Sequence, residues 1–259
     1  MLDATIYTMD LIVSVTPCFI SINLSFFLRS LASSAKDILN SAYMSLIQHN
    51  HPDKRPYQAG DKKALYQICI RTANAGHDAR HIYEDTLLLG DLYLGSYLHH
   101  QPEMVWVMEN NLGLCGYLAA VSDTVSYQNW FLTEWLPGIQ KGRQVQLHDG
   151  TSDSPDDALL ASLFDYSMYR PEWLHDYPAH FHIALLEHVR GMGNGSNWIQ
   201  ELFQVLQKQG CPGVHLGMHP ENHSALSFFK KIGFRKLEYA DLPREEVLYL
   251  GKNLKPEEF

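Results

Sequence analysis

The strongest chemical signal in the chain is the run Arg190-Gly191-Met192-Gly193-Asn194-Gly195-Ser196. Glycines let a backbone approach a ligand closely and enter turns closed to other residues. Where such a turn opens a helix, the first amides are unpaired and the positive end of the helix dipole reinforces them. Together these groups hold a pyrophosphate without a basic side chain. Two common nucleotide loops do not fit. A P-loop needs Lys after its last glycine, where this chain has Ser196, and the third glycine of G-x-G-x-x-G is also replaced by Ser196. Taken alone, the run also reads as a plain surface turn.

Histidine is the second set. There are fourteen, and His180 and His182 are spaced to share one face of a strand. Imidazole titrates near neutrality and can take a proton from an attacking nucleophile, which makes His182 a candidate base. A strand histidine satisfied by its own neighbours is the plain reading beside it. No H-E-x-x-H occurs, and no C-x-x-C pair is present to complete a zinc pattern with spaced histidines, so no metal is expected. Cys18, Cys69, Cys115 and Cys211 are far apart, which predicts free buried thiols rather than a disulfide scaffold.

The elements that must position these residues follow from periodicity. Ala179–Leu186 reads as a strand leading into the loop. A helix over Asn197–Gln209 follows, with Ile199, Leu202, Phe203 and Leu206 on one face and Gly210 closing it. Val214–Met218 reads as a strand, Glu221–Ile232 as a helix ended by Gly233, and Glu246–Leu250 as a last strand. Further upstream, Arg55–Gln58 reads as a strand and Asp61 as the cap of a helix over Lys62–Ala73. A second helix is expected near Ile82–Leu89. Met104–Met108 and Leu112–Val121 form a hairpin about Asn110-Asn111. Residues 122–178 read as an insertion: an aromatic stretch with Trp130 and Trp135, a polar loop over Lys141–Asp157, and a helix to Phe164 capped by Asp156 or Asp157. The fold class is α/β (α+β), helices covering a mixed sheet.

The 259 residues carry 20 Lys+Arg against 29 Asp+Glu, a net charge of −9. That balance argues against nucleic-acid binding, which draws its affinity from clustered basic residues. Residues 1–50 stand apart. Their uncharged run 11–28, LIVSVTPCFISINLSFFL, reads first as part of an appended extension, second as a membrane-associating helix and last as a cleaved signal. Residues 51–259 form the main domain, and a cytoplasmic or nuclear location is expected.

Arg190–Gly195 fits the acyl-CoA loop pattern R/Q-x-x-G-x-G/A. Downstream, Asn222-His223-Ser224-Ala225-Leu226-Ser227-Phe228-Phe229-Lys230-Lys231-Ile232-Gly233-Phe234 resembles the N-x-x-A-x-x-F-Y-x-x-x-G-F block of the GCN5-related N-acetyltransferase (GNAT) family. More closely, the chain resembles the acetyltransferase-like domain of animal O-GlcNAcases and its free-standing bacterial relatives. That likeness rests on Arg55–Asp61, Leu65–Thr72, Tyr177–His180 and Pro212–Gly217.

The resemblance implies a twisted mixed sheet with a helical insertion between its third and fourth strands, and acetyl-CoA as the acyl donor. It implies that the backbones of Ile183 and Leu185 pair with the pantetheine arm. The amides of Arg190, Gly191, Met192, Gly193, Asn194 and Gly195 would hold the pyrophosphate, with Ser196 capping the helix or adding a hydroxyl. Asn222, Phe228 and Phe229 would line the thiol end. Asn222 also reads as a plain helix cap, and Phe228 as plain core. The family's usual proton-donating Tyr falls at Phe229, which has no hydroxyl, and Ala184 stands where relatives often carry an acid. Two functions follow as expectations: an N-acetyltransferase acting on a small-molecule or peptide amine, and a catalytically weakened module that binds CoA or a peptide. Glu187, Asp123 and Glu134 are further base candidates.

Overall fold

The apolar runs Val105–Asn110 (β2) and Gly113–Val121 (β3), the latter buried continuously from Cys115 on, pair antiparallel about a tight turn. The Asn110 carboxamide accepts the Leu112 amide at 2.9 Å, and Gly113 sits at φ +106°, open to glycine alone at low cost. In this computed structural model the described residues are 52–143, 154–164, 170–238 and 247–255. The extension at 1–50, with its run 11–28, lies outside them.

The strands β1 (Asp53–Pro56), β2, β3, β4 (Ala179–Leu185), β5 (Gly213–Met218), β6 (Arg235–Lys236) and β7 (Leu248–Asn253) form one mixed sheet in the order β1-β2-β3-β4-β5-β7-β6. All adjacent pairs are antiparallel except β4–β5. Side chains alternate along β4, so Phe181, Ile183 and Leu185 face one side and His180, His182 and Ala184 the other. On the Phe181 side lie α7 (Asn194–Lys208) and α8 (His223–Lys231), since the Phe181 ring meets Phe229 and Phe234, and Phe234 meets Phe203 of α7. On the histidine side, Tyr117 of β3 packs against His182, and α1 (Lys62–Ile70) brings the buried Cys69 thiol to the Tyr117 hydroxyl. The stripe Ile199, Leu202, Phe203 and Leu206 is fully interior. Each such side chain stabilises the fold by about 1.5–3 kcal/mol.

Several helix boundaries differ from expectation, each for a local reason. The stretch expected as a helix over Ile82–Leu89 instead leads into one that begins at Leu88, because the Asp85 carboxylate accepts the amides of Leu87 and Leu88. It runs as α2 (Leu88–Gly90), a π-turn over Asp91–Gly95, and α3 (Ser96–His100). Asp61 does not cap α1 with its side chain. Its carboxylate is held by Arg55 at 2.8 and 2.9 Å and by the Gln58 amide.

Between β3 and β4 come α4 (Thr124–Trp130), a π-turn over Phe131–Trp135, α5 (Leu136–Arg143) and α6 (Pro155–Phe164), so the expected insertion is mostly helical. The start of α6 is capped by Ser154, whose hydroxyl accepts the Asp157 amide at 3.1 Å. Asp156 turns outward to accept the amides of Glu84 and Asp85, both at 2.9 Å, and docks the insertion on the chain before α2. Asp123 caps α4, accepting from Val125 and Ser126. Asp123→Ala therefore costs about 1 kcal/mol, read as a lower urea midpoint at unchanged slope. An unchanged midpoint would show that the cap contributes nothing.

Candidate active site

β4 and β5 pair in parallel at only two positions, Ala179↔Val214 and His180↔His215. Beyond these the ladder stops, while β4 stays paired with β3 as far as Gly116↔Leu185. The Leu186 amide donates to the Cys115 carbonyl at 2.8 Å, which sets the phase of the β3–β4 ladder. By the two-residue alternation, Phe181, Ile183 and Leu185 turn their backbone groups away from β3 and toward the gap. An exposed edge of this kind is a template for an extended ligand. Ile183 and Leu185 both lie on this edge, with one restriction. The Leu185 carbonyl already accepts from the Arg190 guanidinium at 2.6 Å.

The glycine loop follows β4. Gly191 and Gly193 have φ of +76° and +81°, a left-handed conformation that penalises any side chain. Gly193 is the N-cap of α7, so the helix begins at Asn194, earlier than the expected Asn197. The first helical bond is Asn197 N–H to the Gly193 carbonyl at 3.0 Å. The amides of Asn194, Gly195 and Ser196 are therefore the free donors of a 15-residue helix. Met192 is exposed at the tip. The Ser196 hydroxyl donates back to the Gly193 carbonyl at 2.9 Å, and the Asn194 carboxamide to the Val189 carbonyl at 3.1 Å, so neither side chain caps the helix amides. Gly195 has ordinary dihedrals but little room: a Cβ there would lie 3.4 Å from both the Leu185 side chain and the Phe228 ring.

Arg190 has a different place from its neighbours. Its amide donates to the Glu187 carbonyl at 3.1 Å, and its guanidinium bridges the carbonyls of Leu185 and Gly76. It ties the loop down rather than offering donors outward. Gly76, at φ +92°, is the residue that sequence reasoning missed: a Cβ there would lie 3.5 Å from the Asn222 carboxamide and 3.7 Å from Arg190. Asn222 itself caps α8, its side chain accepting the Ala225 amide at 3.0 Å. The structure thus brings Leu185, Arg190, Gly195, Asn222 and Phe228 to one end of the gap. Phe229 does not face them alone. Its ring is buried between Phe181 and Phe234, with centroids at 6.1 and 5.4 Å.

His182 is half-buried on the opposite face. Its Nδ1 lies 3.0 Å from the Tyr93 carbonyl and 3.5 Å from the Tyr117 hydroxyl. A carbonyl can only accept, so Nδ1 carries the hydrogen and Nε2 keeps a lone pair in the neutral ring. Burial lowers the His182 pKa and the Tyr93 carbonyl partly opposes it, so the neutral form dominates at neutral pH. Of the other base candidates, Asp123 is spent as a cap, while Glu134 and Glu187 are exposed.

Phe131 is buried, and the half-buried Trp130 and Trp135 stack at 6.1 Å beside His100 and His99, so these insertion aromatics pack rather than line an open wall. Cys69, Cys115 and Cys211 are free thiols. Among the described residues no group of three or more His, Cys, Asp or Glu is placed to hold a metal, and no helix is long and apolar enough to cross a membrane.

The model of the acetyltransferase (GNAT) family matches residues 160–234, which span β4, the loop, α7, β5 and α8. The crystal structure of SsHAT is 30% identical and superposes with a TM-score of 0.69, covering 79% of this chain and 99% of that one. Protein O-GlcNAcase of Rattus norvegicus and of Mus musculus are each 21% identical over 210 residues, 77% of this chain and 22% of theirs. The chain thus spans about a fifth of the length of these curated relatives. With an opened parallel strand pair leading to a glycine loop, and a solved relative matched over nearly its whole length, the chain belongs to the acetyltransferase (GNAT) family.

Proposed function

We propose that the protein is an N-acetyltransferase that moves an acetyl group from acetyl-CoA directly to an amine. One observation carries this reading: the β4–β5 pair opens after His180 and His215, and the free edge of β4 runs into three unbonded amides at the start of α7. The edge suits an extended pantetheine arm. The amides and the α7 dipole suit a pyrophosphate, which explains how a chain of net charge −9 can take an anionic donor. Phe228 stands beside Gly195, and Asn222 beside Gly76, whose carbonyl accepts from the Arg190 guanidinium.

Bound acetyl-CoA supplies a thioester, an acyl group already activated toward amines. The chain's part is proton handling and exclusion of water. As the amine nitrogen bonds to the acyl carbon, His182 Nε2 takes the amine proton. As the C–S bond breaks, the CoA thiolate takes a proton from solvent, because Phe229 has none to give. The products are the N-acetyl amine and free CoA thiol. The acidic balance suits a cationic or neutral acceptor, a small molecule or a peptide. In this reading residues 51–259 carry the activity with 122–178 as their insertion, and 1–50 are an appendage.

A second reading, a module that binds CoA without efficient transfer, is favoured by Phe229 and Ala184, both buried and neither able to exchange a proton. Acetyl-CoA should raise the melting temperature, and thiol release should rise when amines are added. Stabilisation without thiol release across an amine panel selects the second reading. No stabilisation at millimolar acetyl-CoA overturns both. Gly195→Leu places its branched side chain against Leu185 and Phe228, and weakens acetyl-CoA binding by about tenfold, or 1.4 kcal/mol. Unchanged binding would move the donor site elsewhere.

A further inference from the structure

The insertion grips one residue from several directions. The Asp91 carboxylate accepts the Tyr66 hydroxyl at 2.9 Å and the Arg143 guanidinium at 2.8 Å. Its backbone carbonyl accepts the Trp135 indole at 3.1 Å. Arg143, at the end of α5, is buried and also bonds Asp85. The packing around this hub is tight. A Cβ on Gly90 would overlap the Tyr66 ring, and one on Gly95 would overlap the Tyr66 hydroxyl and the Trp135 ring.

Asp91 opens the π-turn Asp91–Gly95, and the middle residue of that turn is Tyr93. Single π-turns are rare and take carbonyls out of the ordinary helical ladder. Here the Tyr93 carbonyl meets His182 Nδ1 at 3.0 Å. The hub therefore reaches His182 through two residues of backbone and one hydrogen bond.

We propose that Asp91 is a positioning residue for His182: held by Tyr66, Trp135 and Arg143, it fixes the π-turn so that the Tyr93 carbonyl keeps the hydrogen on Nδ1 and the lone pair on Nε2. This gives the insertion a task at the site, since Arg143 and Trp135 both belong to it. The inference rests on His182 as the proton acceptor proposed above.

Asp91→Asn in the full chain tests it. Asn is isosteric and still accepts from Tyr66, but it loses the ion pair with Arg143. Nitrogen NMR of the histidine rings should show His182 as the Nδ1–H tautomer in the parent, with a large share moved to Nε2–H in the variant. In thiol-release kinetics kcat should fall about tenfold with the KM for acetyl-CoA within about twofold, the pattern of a lost transition-state contribution rather than lost binding. A parent already in the Nε2–H form, or a variant that keeps Nδ1–H and full kcat, overturns the proposal. If the parent releases no thiol with any amine, the transfer reading fails while the tautomer measurement still decides the role of Asp91. Should Asp91→Asn not fold, Arg143→Lys retains the charge but loses the fork joining Asp85 to Asp91. It should shift the tautomer in the same direction, and an unshifted tautomer there counts against the proposal.

Discussion

His182→Gln lowers kcat for thiol release by about 10²–10⁴-fold, the usual contribution of a positioned base. Gln can still donate to the Tyr93 carbonyl, so the strand and π-turn keep their contact, but an amide cannot take up a proton. Acetyl-CoA binding should stay near the parent's, because in the proposed site the donor is held by backbone groups of the β4 edge and the glycine loop, while the imidazole bonds the Tyr93 carbonyl and faces the Tyr117 hydroxyl. A measured thermal shift by acetyl-CoA separates the two effects. The pH profile carries a second signature. His182 faces the Tyr117 hydroxyl from β3 and the Tyr93 carbonyl from the π-turn, with His180 next to it on the same strand face. Burial holds its pKa below 6.5. In the proposed role, His182 is neutral and able to take a proton above that pKa, so activity should be lost as pH falls through it. A His182→Gln protein with parental kcat would remove His182 from the chemistry and leave proton uptake to solvent.

Stability should fall by about 3 kcal/mol between pH 6.5 and pH 4 through His215 alone. His215 is buried, its Nδ1–H donates to the Tyr177 carbonyl at 2.7 Å, and the Trp173 ring packs on it at 4.9 Å. Burial pushes its pKa down from 6.5 to about 4, opposed in part by backbone hydrogen bonds. The sign follows from proton binding. Below pH 6.5 the unfolded chain takes a proton that the folded chain refuses, so stability is present above the unfolded pKa and lost as pH falls toward the folded one. His180 acts in the same direction. Its pKa lies well below the ordinary value through burial and the neighbouring His215, with ring centroids 5.5 Å apart. Carboxylates contribute only toward the acid end of this window: Asp61, held below its ordinary range by its bond to Arg55, begins to cost stability as pH falls toward its unfolded value of about 4. Urea midpoints measured from pH 7 to pH 4 read the loss, and His215→Asn, which can still donate to the Tyr177 carbonyl, should flatten it. Equal slopes in parent and variant would assign the loss to other groups. Because β4 and β5 pair only at these histidine positions and their neighbours, the acid loss should begin where the gap begins.

The two histidines also mark the limit of what was legible. His180 and His182 share a strand face by simple alternation, and the sequence shows that much. It does not show that His180 bonds the Thr124 hydroxyl at 2.7 Å or that His182 bonds Tyr93, because those partners are 56 and 89 residues away. The glycine run was legible because positive φ and a bare backbone demand glycine, and the structure puts Gly191 and Gly193 in that conformation. Arg190 fits the same written pattern, yet it turns inward to Leu185 and Gly76, and a pattern of residue types cannot tell a ligand donor from a brace. The Leu88 helix start was missed because it depends on which of several acidic residues near it turns toward the free amides.

By itself, then, the sequence determined the strand–loop–helix unit at 179–208, the apolar stripe of α7 and the α/β class, because each rests on local periodicity and backbone sterics. Only the tertiary structure decided that β4 and β5 part after His180, that Asp91 is gripped by the insertion, and that the Tyr93 carbonyl sets the tautomer of His182. These depend on groups far apart in the chain meeting within about 3 Å, and backbone carbonyls, which every residue carries, leave no mark in a sequence.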